Sequence, residues 1–488
     1  MRVVLILILL IGICLPTRAQ VFDAIVAKDG TGNYTSIVQA LKSRSVTQRL
    51  FIKNGVYEEK VSISATKDGI SLIGESVDGV IIQWDDYSGD IDGHTTGTSY
   101  TLSVQADDYY MENITIKNTA GNVGQAVAIH TEGQRIAVKN CKFIGFQDTY
   151  YADGAGLVYN QNCYIEGATD FIFGDATAVF DSCEIRCVNG GQYITAPADT
   201  KLTSTDTDVN TVYHGLLFNG CNITSNNDVS ADSYYLGRPW QPNASSVYIN
   251  CTLGAHVKAE GWSIWNDNNH LSGTYAEYQS ITPAGDLVDT TSRVDWSKQL
   301  TTDYANTYYN LTYFLTKNAQ PWDYDAPGTA LSSPGGLSMD GYGAEDKPVI
   351  SWNSVTDAIG YAVLRDGVVE GFTDSTSFMG GVVTGSVEYS VKSVTESGAL
   401  SGVSDILVVD EKEITLDNEK SMEQSWVIRK GSEVELLRRA DALVYSLNGR
   451  LVQQEKNTQN FKLASNLHGV FVVKCIFDTK TEIFKILL

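Results

Sequence analysis

The chain has 488 residues, with 43 glycines, 26 tyrosines and only nine prolines, a length about three times that of a usual single domain. This length predicts one large domain and one or two small ones, and the composition favours strands and turns over helices. The formal net charge of −23 argues against nucleic acid and anionic membranes as partners, because both carry negative charge themselves.

The N-terminal segment has the pattern of a secretory signal peptide. A short basic start precedes an almost wholly apolar run over residues 3–14, and small residues end the segment at Ala19. The run is too short for a helix that spans a bilayer of about 30 Å, which disfavours a membrane anchor. A lipoprotein site at Cys14 is disfavoured because Ile13 precedes it. We therefore predict a signal peptide over residues 1–19 and a secreted protein, extracellular or attached to the cell surface, with no membrane span.

A four-residue pattern recurs along the middle of the chain, with polar or small residues alternating with apolar ones. Short alternating strands at such spacing, without helical segments between them, are typical of a parallel β-helix, in which each coil stacks on the last. The longer steps after Cys183 predict loops that bulge from the coils. The copies of the pattern are residues 113–116, 140–143, 162–165, 182–185, 220–223 and 250–253.

Seven cysteines remain after the predicted signal peptide, an odd number that requires no disulfide framework. We expect those of the repeat to form a ladder of buried thiols rather than a metal site, because no Cys-x-x-Cys pair or paired His spacing accompanies them. Five cysteines occupy the second position of the repeat, namely Cys141, Cys163, Cys183, Cys221 and Cys251.

Two glutamines and two aspartates share one spacing within the repeat region. Gln125 precedes Gln147 by 22 residues, and Asp148 precedes Asp170 by 22 residues, which is also the local step of the repeat. If one coil takes 22 residues here, the glutamines stack on each other and so do the aspartates, about 4.8 Å apart along the tube. Two adjacent carboxylates cannot both ionise easily, so one should stay protonated while the other stays ionised.

This division of charge predicts a general acid and a nucleophile. The two amides beside the aspartates can donate hydrogen bonds to a developing oxyanion, as acyl transfer requires. Arg238, in the sequence Gly-Arg-Pro-Trp at residues 237–240, can pair with the nucleophilic carboxylate and hold it ionised. A lone aspartate is more often a turn residue, and a lone arginine often forms a weak surface ion pair. The shared spacing of four polar residues favours a catalytic site.

The composition changes after the repeat region. Three prolines and several glycines and serines predict a linker over residues 321–336. Alternating strands predict a small β-sandwich over residues 337–410, which resembles a fibronectin type III module. Residues 411–488 resemble the C-terminal β-rich sorting domains of type IX secretion. The sequence thus predicts an all-β chain whose β-helix domain covers residues 20–320.

Four motifs follow one another in the β-helix region. They are Gln-Ala-Val-Ala from Gln125, Gly-Phe-Gln-Asp-Thr-Tyr around Asp148, Asp-Phe-Ile-Phe-Gly from Asp170, and Leu-Gly-Arg-Pro-Trp around Arg238. In this order they resemble the pectin methylesterases of carbohydrate esterase family 8, whose fold is a right-handed parallel β-helix. The resemblance implies a pectinesterase that hydrolyses galacturonate methyl esters in pectin and releases methanol.

The resemblance also implies a role for each residue of the site. Asp170 would attack the ester carbonyl, and Asp148 would protonate the departing methanol and then activate water. Gln125 and Gln147 would stabilise the oxyanion, and Arg238 would orient Asp170. For Phe171, a buried position in the core is the more common case. The candidate sugar-binding residues are Trp240 and, as weaker candidates for the cleft walls, Tyr151, Phe171 and Trp262.

Other functions fit the same residues less well. A Ser-His-Asp hydrolase would need a Gly-x-Ser-x-Gly elbow, and a calcium-dependent lyase would need an acidic cluster beside Asp148. A glycosidase also pairs two carboxylates, but the glutamines fit acyl transfer better. A catalytically inactive carbohydrate-binding protein and a thioesterase-like relative stay open. We expect no metal or organic cofactor, a monomer, and methylated pectin and the secretion machinery as partners.

Overall fold

The first part of the chain is built from short strands, most of which pair in parallel with a strand one coil away. The structure is a computed structural model, and it describes residues 20–487 except 155, 208–209, 267, 317–321, 413–426, 431–432, 466 and 479–480. The predicted signal peptide lies outside the described residues. Contact density divides the chain into two units, Met1–Asp410 and Glu411–Leu488.

The strands of the parallel part have the following bounds, in chain order. They are β1 (Ala24–Val26), β2 (Arg49–Ile52), β3 (Gly55–Glu58), β4 (Val61–Ile63), β5 (Ser71–Gly74), β6 (Val80–Trp84), β7 (Leu102–Val104), β8 (Tyr110–Glu112), β9 (Thr115–Asn118), β10 (Ile129–Thr131), β11 (Ile136–Lys139), β12 (Lys142–Ile144), β13 (Tyr150–Ala152), β14 (Leu157–Gln161), β15 (Tyr164–Gly167), β16 (Thr169–Gly174), β17 (Thr177–Asp181), β18 (Glu184–Cys187), β19 (Tyr193–Pro197), β20 (Thr203–Thr205), β21 (Thr211–Tyr213), β22 (Leu216–Asn219), β23 (Asn222–Ser225), β24 (Tyr235–Gly237), β25 (Ser245–Ile249), β26 (Thr252–Leu253), β27 (Thr274–Tyr278) and β28 (Lys298–Gln299).

These strands pair into three parallel sheets that run along a tube. The first sheet has the order β1-β2-β5-β8-β11-β14-β17-β22-β25-β27-β28, the second β24-β19-β16-β13-β10-β7-β4, and the third β26-β23-β18-β15-β12-β9-β6-β3. Successive strands such as β11, β12 and β13 enter different sheets, so a coil in the middle of the tube adds one strand to each. The short hairpin β20-β21 lies outside the three sheets. The sheets confirm an all-β chain and agree with the predicted parallel β-helix.

The repeat corresponds to the turn between the first and third sheets. Its first residue has a left-handed backbone in each copy, with φ between 48° and 61°. Asparagine, serine and glycine tolerate this conformation better than larger side chains do. The second residue then faces the interior, and the five repeat cysteines are 0 to 2% exposed within the core. The predicted ladder of buried thiols is confirmed.

Three short α-helices in the described residues cover parts of the β-helix: α1 (Ile37–Lys42), α2 (Thr302–Tyr308) and α3 (Leu311–Thr316). The third packs Phe314 and Leu315 against Val179 and Leu217, which project outward from the first sheet. The described 3₁₀ turns are Ala65–Lys67, Thr96–Thr98, Asn269–Leu271, Ala326–Gly328 and Ala344–Asp346.

Antiparallel strands follow the β-helix in the same unit. One sheet has the order β29-β30-β33 and the other β32-β31-β34-β35, and Trp352 and Tyr389 lie in the core that both contribute to. The bounds are β29 (Ser338–Tyr342), β30 (Pro348–Ser351), β31 (Gly360–Arg365), β32 (Val368–Thr373), β33 (Ser377–Met379), β34 (Ser386–Val394) and β35 (Leu407–Asp410).

These antiparallel sheets dock directly on the β-helix. Phe372 packs its ring 4.7 Å from that of Phe22 and 4.8 Å from that of Phe51. The Arg49 guanidinium bonds the Glu396 carboxylate at 3.0 Å. Phe22 and Phe51 are 1% and 0% exposed, so removing residues after 336 would expose an apolar face of the β-helix.

The second unit contains a separate antiparallel sheet. Its described strands have the order β36-β37-β39-β40, and β38 pairs with β37. Val444, Phe461 and Val473 lie in its core. In the described residues, none of the helices has the length and apolar character needed to cross a membrane. The strand bounds are β36 (Val427–Lys430), β37 (Glu433–Ser446), β38 (Leu451–Lys462), β39 (Val470–Ile476) and β40 (Thr481–Leu487).

Candidate active site

Asp148 and Asp170 lie on neighbouring coils of the second sheet. Strand β13 pairs with β16 in the register Tyr150 to Ile172, so positions 148 and 170 lie opposite each other. Both aspartates have a left-handed backbone, with φ of 63° and 49°, and each is 4% exposed. Left-handed non-glycine residues are uncommon and gather at functional sites. The predicted stacking of the two aspartates is confirmed.

A β-bulge directs the Asp170 side chain out of the tube. Thr169 pairs with Tyr193 and Ile172 pairs with Thr195, so strand β16 holds one more residue than β19 across this interval. Such bulges re-aim side chains and are frequent next to active sites. The bulge places Asp170 beside the strand end that carries Arg238.

Arg238 holds the Asp170 carboxylate by two hydrogen bonds. Its Nε donates to Oδ1 at 2.9 Å and its Nη2 donates to Oδ2 at 2.5 Å. The residue directly follows β24, and its backbone N–H donates to the Thr195 carbonyl at 2.9 Å. A bidentate guanidinium fixes both the position and the charge of a carboxylate.

The two carboxyl groups have different proton affinities. Burial first, and the charge of Asp170 second, raise the pKa of Asp148 to about 8, while hydrogen bonds from the Gln125 and Gln147 side chains act in the opposite direction. Burial also raises the pKa of Asp170, but the hydrogen bonds and charge of Arg238 oppose that rise. Since the guanidinium bonds Asp170, the negative charge of the pair lies on Asp170 and the proton on Asp148.

The two glutamines stack as their spacing predicts. Gln125 and Gln147 form a parallel bridge, and Gln147 forms another with Thr169. The Gln125 Oε1 atom accepts a hydrogen bond from Thr96 Oγ1 at 2.8 Å. Both amides lie close enough to Asp148 to lower its pKa, so they are neighbours of the carboxyl group that holds the proton.

A row of aromatic rings extends from the carboxylate pair along the second sheet. Tyr151 is stacked between His130 and Phe173, with ring centroids 4.3 Å away on each side. Trp240 meets Phe173 edge to face at 6.1 Å, and both Tyr151 and Trp240 are half-buried. His130, Tyr151 and Phe173 are register partners. Phe173 lies 22 residues after Tyr151, so the coil spacing that indicated the aspartates would also have indicated Phe173. His130 lies 21 residues before Tyr151, one residue off that spacing, and the sequence analysis missed both.

Two of the weaker aromatic candidates are not in the cleft. Phe171 is 0% exposed and Trp262 is 1% exposed, and both belong to the core inside the tube. Trp262 packs between Tyr248 and Tyr275, at 5.6 and 5.4 Å. The prediction that they form cleft walls is wrong, because both side chains point to the interior face of their coils.

One group among the described residues could hold a metal ion. The ligand atoms of Asp86, Asp90 and His94 lie within 4.8 Å of one another. The Lys60 ammonium bonds Asp86 at 2.5 Å, and His94 contacts both aspartates. Lys60 already supplies positive charge to Asp86, and the contacts of His94 brace the loop from which Thr96 reaches Gln125.

The chain is similar to known esterases over its β-helix. The pectinesterase family model matches residues 23–318. Pectinesterase 31 from Arabidopsis thaliana is 33% identical over 311 residues, which cover 61% of this chain and 93% of that protein. The chain spans about half the length of other curated relatives, such as 47% of a probable pectinesterase/pectinesterase inhibitor from Brassica napus that is 32% identical.

Solved structures give the same result. Pectin methylesterase PemA from Erwinia chrysanthemi is 27% identical, with a TM-score of 0.51, over 62% of this chain and 99% of that chain. A pectin methylesterase in complex with a hexasaccharide is also 27% identical, with a TM-score of 0.50 and the same coverage.

The protonation of the buried Asp148 side chain predicts how the stability of the fold varies with pH. Between its ordinary pKa of 3.8 and the raised value of about 8, the folded state binds a proton that the unfolded state has lost, so stability falls as pH rises. Asp148→Asn removes this effect. The variant should gain stability relative to the parent by about 1 kcal/mol for each pH unit between pH 5 and pH 8.

Urea unfolding at several pH values, followed by tryptophan fluorescence, measures this difference. Asp78→Asn is the matched control, because the Asp78 side chain is 79% exposed and its replacement should leave the pH dependence unchanged. A difference between Asp148→Asn and the parent that does not vary with pH would contradict the protonated state of Asp148.

Proposed function

The chain belongs to the pectinesterase family of carboxylic ester hydrolases, and from this premise we propose that it hydrolyses methyl esters of pectin through Asp170 and Asp148. The observation that carries the proposal is the stacked carboxylate pair in which Arg238 bonds only one member. One chain supplies all five polar residues of the site, and we propose that it acts as a monomer.

The first half of the reaction follows from the position of the charge. An Asp170 oxygen attacks the ester carbonyl carbon, and the carbonyl electrons move to its oxygen. The amides of Gln125 and Gln147 donate hydrogen bonds to this oxyanion. When the tetrahedral intermediate collapses, the carbon–oxygen bond to the methoxy group breaks. Asp148 donates its proton to that oxygen, methanol leaves, and an acyl-enzyme on Asp170 remains.

The second half reverses the role of Asp148. Its carboxylate now takes a proton from a water molecule, which attacks the substrate acyl carbon. The bond to Asp170 breaks, the galacturonic acid group of pectin is released and loses its proton to solvent, and Asp148 holds a proton again. When Asp170 becomes a carboxylate again, the two hydrogen bonds that Arg238 donates stabilise its negative charge. The raised pKa of Asp148, about 8, suits a group that both donates and takes a proton near neutral pH.

The aromatic row supports a sugar chain as ligand. Faces of aromatic rings bind the apolar faces of sugars, and Tyr151 and Trp240 are the half-buried members of this row. The hexasaccharide bound to a similar pectin methylesterase supports an oligosaccharide in this cleft.

His130 lies 3.1 Å from Asp153 and 4.0 Å from Glu132. These carboxylates would repel free galacturonate, so we propose that this end of the cleft takes esterified, uncharged sugars.

Methanol release from highly methylated pectin tests the esterase. The chain from Gln20 onward should release methanol without shortening the polymer. Asp170→Asn should lower kcat on the order of a thousandfold or more, and Asp148→Asn on the order of a hundredfold or more. Asp78→Asn, which changes an exposed carboxylate, should keep the parent rate.

The proposal fails if the folded parent releases no methanol, or if it shortens pectin chains instead. It also fails in its assignment of residues if either site variant keeps the parent rate. Thermal unfolding of each variant, compared with the parent, separates loss of function from loss of fold.

We also propose that the chain is secreted, with residues 1–19 as signal peptide and residues 411–488 as a type IX sorting domain. The separate antiparallel sheet of the second unit supports a distinct role for that segment. The two antiparallel sheets over residues 338–410 support a fibronectin type III-like module.

Export in a host with type IX secretion tests the role of the C-terminal segment. The full chain should accumulate in the medium or on the cell surface. A chain that ends at Asp410 keeps the first unit whole. Its amount inside the cells should be at least about tenfold higher than that of the full chain. Equal export of the two chains would contradict the sorting role.

A further inference from the structure

The guanidinium group of Arg238 is covered by an aromatic ring on each of its faces. Its central carbon lies 3.9 Å from the ring centroid of Tyr193 and 3.9 Å from that of Trp265. Two rings cannot both lie at this distance over one face, so they occupy opposite faces. The column continues through Tyr235, whose ring stacks on Tyr193 at 5.6 Å and 11°, to the Lys258 ammonium 5.1 Å beyond.

This arrangement leaves only the edge of the guanidinium free for hydrogen bonds. Water cannot approach the faces, and the edge meets Asp170 with two N–H donors at 2.9 and 2.5 Å. A long arginine side chain has many rotamers in solvent, so a bidentate contact requires that its plane be fixed. Rings on both faces fix that plane, and cation–π attraction adds to the effect.

The same strand pairing positions Tyr193 and Arg238. Strand β19 pairs with β24, with Tyr193 opposite Tyr235 and Thr195 opposite Gly237. The backbone N–H of Arg238 then donates to the Thr195 carbonyl. Tyr193 also pairs with Thr169, the residue before Asp170. Tyr193 therefore lies between the strand that carries the carboxylate and the strand that leads to the guanidinium.

We propose that Tyr193 is a positioning residue, whose ring acts with that of Trp265 to hold Arg238 in the plane that binds both oxygens of Asp170. The proposal rests on the esterase function proposed above. Tyr193 acts through Arg238, without contact with the ester, so its loss should affect the chemical step more than substrate binding.

The loss of the Tyr193 ring has a defined electrostatic consequence. The charged groups against the Asp170 carboxylate are Arg238, which bonds it, and Asp148 on the neighbouring coil; Lys258 is at the far end of the column. A guanidinium free to rotate would stabilise the ionised nucleophile less, and Asp170 would take up a proton at higher pH. The acid limb of the kcat/KM profile should therefore move to higher pH.

Kinetics of three variants test the proposal in the chain from Gln20 onward, with methanol release from methylated pectin as the assay. Tyr193→Leu removes the ring and should lower kcat about fivefold, with KM within about twofold and the acid limb shifted upward by about half a pH unit. Tyr193→Phe keeps the ring and should match the parent within about twofold. Tyr164→Leu is the control, because Tyr164 is a half-buried ring on the third sheet, 6.0 Å from the Lys142 ammonium.

Three outcomes would overturn the proposal. Tyr193→Leu with parent kinetics would show that the ring is not needed. A raised KM with unchanged kcat would mean that Tyr193 contacts the sugar instead. If Tyr193→Phe lowers kcat as much as Tyr193→Leu does, the effect belongs to the hydroxyl group and not to the ring. If Tyr193→Leu does not fold, Tyr193→Met replaces it, since this flexible side chain fills a similar space without a π face.

NMR of chains labelled with ¹⁵N-arginine separates this proposal from the esterase assignment. The Arg238 side-chain N–H signals, assigned from their absence in Arg238→Lys, should be resolved in the parent and in Tyr193→Phe because the guanidinium is held. They should broaden or merge in Tyr193→Leu. Unchanged signals would contradict the positioning role even if the parent released no methanol, and a parent without methanol release would contradict only the esterase function.

Discussion

The pairing register between strands β13 and β16 is the constraint on which the site depends. It places positions 148 and 170 opposite each other on neighbouring coils, so two acidic side chains are held together in a buried position. The backbone hydrogen bonds of the parallel sheets hold this register, so the carboxylates cannot move away from each other to relieve their repulsion. The repulsion is instead relieved by a proton on Asp148.

The asymmetry between the two carboxyl groups comes from what lies beside each. Strand β24 ends next to Asp170 and supplies Arg238 there, and the bulge in β16 turns the Asp170 side chain toward it. Asp148 has amides as neighbours, and amides solvate a carboxyl group without neutralising a charge. Burial affects both groups, so the guanidinium decides which one ionises. The rings over its faces belong to the same arrangement, because they cover both faces of the cation that sets this charge.

Spacing predicted much of the fold and the stacked glutamine and aspartate pairs of the site, whereas Arg238 was indicated by its local sequence motif. A parallel β-helix repeats its register from coil to coil, so residues one coil length apart in sequence are neighbours in space, as Asp148 and Asp170 are. The error at Phe171 has a local cause. Phe171 and Ile172 both face the interior, because the bulge interrupts the alternation from which side-chain direction is inferred. The docking of Phe372 on Phe22 and Phe51 joins segments more than three hundred residues apart, and no repeat or motif marks such a contact.

The central claim is that Asp148 carries the proton and Asp170 the charge, and the pH dependence of kcat/KM in the full esterase reaction tests it most directly. This profile reports the ionisation of groups in the free enzyme. Methanol release should be measured from pH 4 to pH 10 with alkaline hydrolysis in an enzyme-free sample subtracted. The account predicts that kcat/KM falls on the alkaline side with an apparent pKa near the value of about 8 for Asp148. A kcat/KM that stays constant or rises up to pH 10 would contradict it.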